Sequence, residues 1–80
     1  MSVVPNPTNK ATVITMDLQK TQSLQLDLLN AAGQSVWKES VPNASGTVRI
    51  PLDLTDFDKG VYLLRVQGAD KVVTHRVVKR

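Results

Sequence analysis

Apolar and polar residues alternate along most of this 80-residue chain. In Ser23-Leu24-Gln25-Leu26-Asp27-Leu28 every second residue is leucine, the period of a strand with one apolar and one wet face. The same period recurs in Ala11–Met16, where Thr12, Ile14 and Met16 share a face, and in Thr47–Pro51. It appears again in Val61–Gln67, with Tyr62, Leu64 and Val66 on one side, and a last strand is expected from Lys71 to Val78. Asn30-Ala31-Ala32-Gly33 reads as a turn, followed by the return strand of a hairpin over Gln34–Val41 carrying Trp37. Pro42-Asn43-Ala44-Ser45-Gly46 and Gly68-Ala69-Asp70 read as further turns. No stretch keeps a helical period over three turns. The pattern predicts an all-β domain of six main strands and a short seventh, all antiparallel, arranged as a sandwich or small barrel.

Two local features sharpen this. The chain opens Val3-Val4-Pro5-Asn6-Pro7-Thr8-Asn9, where each proline fixes φ and removes a donor, so the segment must run extended and then turn. Val3-Val4 is suited to a brief edge strand, the place where a neighbouring proline is tolerated. Farther on, Leu52-Asp53-Leu54-Thr55-Asp56-Phe57-Asp58-Lys59-Gly60-Val61-Tyr62 resembles the corner of immunoglobulin-like sandwiches, in which a tyrosine hydroxyl bonds to upstream backbone. Tyr62 is therefore expected to be an anchor of the fold, and the fold class an immunoglobulin-like β-sandwich of about seven antiparallel strands.

Composition limits the chemistry. There is no cysteine, hence no disulfide and no thiolate metal site, and no apolar run reaches the roughly 18 residues of a membrane helix. The net charge of +3 is unevenly placed. Up to Lys59 there are five basic residues against six acidic; from Gly60 onward Arg65, Lys71, Arg76, Lys79 and Arg80 stand against Asp70 alone. Trp37, Phe57 and Tyr62 are not interleaved with that basic end, so the sequence predicts no nucleic-acid partner. His75 is the single histidine, and no serine lies in a nucleophile elbow, which argues against an enzyme. Asp53, Asp56 and Asp58 are too few for a calcium loop and read as turn-capping acids. Asn43-Ala44-Ser45 fits the N-glycosylation pattern, whereas Asn6-Pro7-Thr8 does not. Trp37 reads as a buried or half-buried packing residue in preference to a sugar platform. No cofactor and no metal are expected.

Several segments, taken in order, resemble a known family. They are Val4-Pro5-Asn6-Pro7-Thr8, Leu26-Asp27-Leu28-Leu29-Asn30 with Gly33 and Val36, Gly60-Val61-Tyr62-Leu63-Leu64-Arg65-Val66, and the ending Val77-Val78-Lys79-Arg80. Together they are similar to the C-terminal sorting domain of the type IX (Por) secretion system of Bacteroidetes, over nearly the whole chain. The resemblance implies an address label at residues 1–80, the last piece of a longer exported protein. Its attached N-terminal cargo would be carried through the periplasm and across the outer membrane to the cell surface or medium. The partners implied are the type IX machinery and a sortase-like surface protease that cuts upstream of the label. By position, Pro5, Asn6 and Pro7 form the head motif, Gly60 and Tyr62 the central motif, and Val77, Val78, Lys79 and Arg80 the tail that the translocon would read.

On this reading the prolines make a boundary that does not pair with the label's own sheet; the alternative is that they only shape the first turn of the domain. Arg76, Lys79 and Arg80 are expected to present charge to an acidic receptor. Open strand edges predict a tendency to pair with a second copy. The rival function is an accessory β-sandwich that binds carbohydrate or protein for an attached enzyme, which would place recognition at Trp37 and not at the tail.

Overall fold

The computed structural model describes residues 1–80. Five strands form, with no helix: β1 (Ser2–Val4), β2 (Ala11–Leu29), β3 (Ser35–Asp53), β4 (Gly60–Gln67) and β5 (Val72–Lys79). All strand pairs are antiparallel and belong to one sheet. β2 organises it. β3 follows β2 along its length, from Ala11 opposite Asp53 to Leu29 opposite Ser35. β1 pairs with β2 at Val13–Thr15 and β4 pairs with it at Gln25–Leu29, so both ends of β2 are flanked by two strands. β5 then adds to β4.

A strand of 19 residues at about 3.3 Å each would span about 60 Å. The longest dimension of the molecule is 35 Å, so β2 has to bend. It does so where the register with β3 slips, between Leu18 and Gln22 and again between Gln22 and Leu24. Bulges of this kind bend a strand and raise its local twist. The sheet therefore curls, and side chains from both ends of β2 share one core: Ile14 and Met16 from the first half, Leu26 and Leu28 from the second. Leu52, Leu54, Leu64 and Val77 are wholly enclosed with them, and Val3 of β1 joins the cluster. Each fully buried aliphatic side chain contributes about 1.5–3 kcal/mol, which a core of this size depends on.

The all-β class and the alternation stand, but the seven-stranded immunoglobulin-like sandwich gives way to five strands of one curled sheet. The two extra breaks implied by the sequence, between Met16 and Ser23 and at Pro42–Gly46, lie inside β2 and β3. Pro42–Gly46 is an irregular stretch of β3, with Asn43 at φ 53° and Gly46 at φ 62° serving a bend instead of a reversal. Ala44 turns inward there and is buried opposite Gln22. Pro42 and Pro51 fit because β3 pairs only with β2, and its other edge needs no donors.

The Asn30–Gly33 turn forms as its composition predicts. The Asn30 Oδ1 accepts from the backbone amides of Ala32 and Gln34, at 3.0 and 2.9 Å, and Gly33 takes φ 82°. Trp37 packs half-buried against the core opposite Leu28.

Candidate functional site

The positions singled out in the sequence fall into three groups, central, tail and head, that meet at one end of the sheet. The central motif comes first. Gly60 begins β4 at φ 156°, a conformation that L side chains rarely adopt, although a Cβ there would meet nothing within 4 Å. Glycine is required by the backbone and not by crowding. Two residues on, Tyr62 is buried with its ring 5.9 Å from that of Phe57, and its hydroxyl donates to the Asp58 carbonyl at 2.7 Å. This is the anchoring role expected of it, since the bond ties the loop after β3 to the start of β4.

Across from these residues runs the tail. Gly60 faces Lys79 and Tyr62 faces Val77 in the β4–β5 ladder. Val77 is completely buried, Val78 is half-buried and Lys79 is only 8% exposed, its Nζ lying 3.4 Å from the Arg80 carbonyl. Of the basic side chains expected to present charge, Arg76 and Arg80 are exposed and Lys79 is folded in.

The head segment closes the outer side of this tail. The Asn6 carboxamide donates from Nδ2 to the Arg76 carbonyl at 2.7 Å and accepts from the Val78 amide at 2.9 Å. In effect a side chain occupies the place of a neighbouring strand's peptide group. Thr8 continues the pairing through its main chain: its amide donates to the Val78 carbonyl at 2.9 Å, and its carbonyl accepts from the Arg80 amide at 2.8 Å. Thr8 and Lys79 thereby form a parallel bridge. Thr8 is itself buried, and its hydroxyl donates to the Ala11 carbonyl, which shapes the entry into β2.

These bonds correct the expectation of a boundary that leaves the sheet alone. Val3 and Val4 pair with β2, and Asn6 and Thr8 clasp β5. The prolines, lacking amides, leave the polar side chain between them as the group that reaches the tail.

Elsewhere the candidate chemistry resolves into structural roles. Asp53 accepts from the Thr55 hydroxyl and amide, and these bonds hold its carboxyl below the usual carboxylate value. No three His, Asp or Glu side chains converge. His75 is half-buried opposite Leu64.

One pair was missed from the sequence. Asp27 is nearly buried on the face opposite Leu26 and Leu28, and Arg65 Nη2 meets its carboxylate at 2.8 Å. Its signal lay in the register: Asp27 has Lys38 on one side and Arg65 on the other, which is visible only once the strands are aligned.

Residues 2–80 match a protein family described as the secretion system C-terminal sorting domain. No curated protein matches the chain.

Proposed function

The chain belongs to the secretion system C-terminal sorting domain family, and from that premise we propose how its two ends serve export. It is a sorting signal of type IX secretion, and a protein that carries it is destined for the cell surface or the medium. A cargo protein precedes Met1, passes through the periplasm and crosses the outer membrane because the translocon takes hold of Val77, Val78, Lys79 and Arg80. A sortase-like surface protease then cuts ahead of Pro5, Asn6 and Pro7 and frees the cargo. The hosts are Bacteroidetes, in keeping with the resemblance.

The match over residues 2–80 carries this proposal. The geometry supports its details in two ways. The tail is the end strand of the sheet, and Arg76 and Arg80 are solvent-facing there. Charge at such an exposed end sets encounter rate and specificity toward an acidic surface. The head lies against the same strand, so the two motifs that the machinery would handle share one corner of the molecule. The accessory-module alternative is not favoured. Trp37, on which it would depend, leans on the core.

The test is an export assay. Residues 1–80 are fused behind a signal peptide and a fluorescent reporter and expressed in a Bacteroidetes host with a working type IX system. The fusion is expected at the surface or in the medium, and the same fusion lacking Lys79 and Arg80 is expected to stay in the periplasm. Equal export of both would overturn the tail assignment.

A further inference from the structure

The outer edge of β5 alternates. The Arg76 carbonyl, both backbone groups of Val78 and the Arg80 amide all face outward and are taken by Asn6 and Thr8. By the same alternation the peptide groups of Val72 and Thr74 face that side too, where no strand pairs with them. The open half is also apolar and accessible, with Val72 61% and Val73 43% exposed. Half of one strand edge is thus free and half is covered by the head.

The cover is slight at its Asn6 end, where Asn6 is exposed and the Arg76 carbonyl is held by a single side-chain amide. Thr8 is buried and adds two main-chain bonds, which an incoming strand would replace in kind. What the head demonstrates is the kind of ligand this edge accepts: an extended chain supplying donors and acceptors at strand spacing. Lys71, Arg76 and Arg80 are exposed along the strand and its ends, which suits an incoming segment with acidic side chains.

We propose that the Pro5–Thr8 segment guards the tail: an extended acidic segment of a partner adds to β5 from the free Val72–Thr74 end and displaces Asn6 and Thr8. Capture of the tail and release of the head are then one event. Because the coupling is reciprocal, anything that loosens the head makes the tail easier to take, and a captured tail leaves the head detached from the sheet. This rests on the reading that the tail is what the export machinery recognises.

Asn6→Ala removes both carboxamide bonds, and Asn6→Asp keeps the acceptor for the Val78 amide while losing the donor to Arg76. In the purified chain, hydrogen exchange followed by NMR is expected to show the Val78 amide exchanging about tenfold faster in Asn6→Ala, with Leu26 and Leu64 unchanged. Asn6→Asp falls between that variant and the native chain. In the reporter fusion Asn6→Ala is expected to export several-fold faster than the native sequence. Arg76→Glu, which leaves the backbone clasp in place, exports more slowly.

Unchanged Val78 exchange in Asn6→Ala would show that there is no clasp to open. An opened clasp with export unchanged or slower would overturn the guard, provided that loss of Lys79 and Arg80 still blocks export. Native-rate export of Arg76→Glu would overturn the acidic partner. If the truncated fusion exports normally, the tail reading falls and takes the guard with it.

Discussion

Tyr62 and Asp53 show how single side chains hold the loop between β3 and β4. The Tyr62 hydroxyl satisfies the Asp58 carbonyl at a part-buried position. Tyr62→Phe keeps the ring packing on Phe57 and loses that bond, at a cost of about 1 kcal/mol. For a domain of this size that is a fall of about 4–8 °C in Tm, readable by thermal unfolding followed by circular dichroism. Asp53 works through charge. Hydrogen bonds from Thr55, the hydroxyl first and the amide second, stabilise its ionised form and depress its folded pKa below the ordinary 3.8. A depressed carboxylate contributes stability that is present above its unfolded pKa and is lost as pH falls through the folded value. Denaturant midpoints measured from neutral pH downward should therefore decline below about pH 4 in the native chain. Asp53→Asn should flatten that decline.

Among the elements, the β2–β4 ladder carries the pair that its neighbours make necessary. Asp27 is close to buried, and without Arg65 its charge would lack a close partner on β4. Arg65 is 38% exposed, so solvent weakens the attraction, and the pair is worth about 1 kcal/mol. The asymmetry is larger than the bond. Arg65→Ala leaves a desolvated carboxylate behind, while Asp27→Ala leaves an arginine that can turn to water. A double-mutant cycle by urea unfolding is expected to find Arg65→Ala the costlier single change and a coupling near that figure. A coupling indistinguishable from zero would mean that Lys38, opposite Asp27 on β3, already supplies the neutralising charge. The bends in β2 and β3 act at the same scale. They let two long strands wrap one core where straight ones would leave Ile14 and Leu28 at opposite ends of a flat ribbon.

At the scale of the whole molecule, the first ten residues belong to the fold. Val3 sits in the core, Thr8 is buried, and the Asn6 and Thr8 bonds span sequence separations of about seventy residues. Deleting residues 1–9 should cost about 3 kcal/mol or more, from the lost burial of Val3 and the clasp bonds together, as measured by chemical denaturation. A segment that merely linked the domain to something else could be removed with no change. The consequence for sorting is physical: the point where a cargo would attach and the point where a translocon would pull are joined across one strand edge. On the proposed reading, tension or binding at either would be felt at the other.

What was legible in the sequence was local. The period of two set the all-β class, because alternating burial needs no knowledge of partners. Asn30–Gly33 announced its turn through side chains that bond within four residues. Gly60 and Tyr62 announced the corner in the same way, the bond to Asp58 again spanning four. The order of quoted segments was enough to point to the family. Tertiary structure decided the rest. Asn43 and Gly46 advertise a need for positive φ, but bulges and reversals share that need, so the number of strands was settled only when Ala44 found its place opposite Gln22. A period-two pattern is also unchanged by a shift of two residues, so it could not place Arg65 beside Asp27. Nor could it show Asn6 against Val78, since nothing near either residue in the chain refers to the other. Short-range chemistry is written in consecutive residues; register and closure of the sheet are settled by how all the strands bury one core at once.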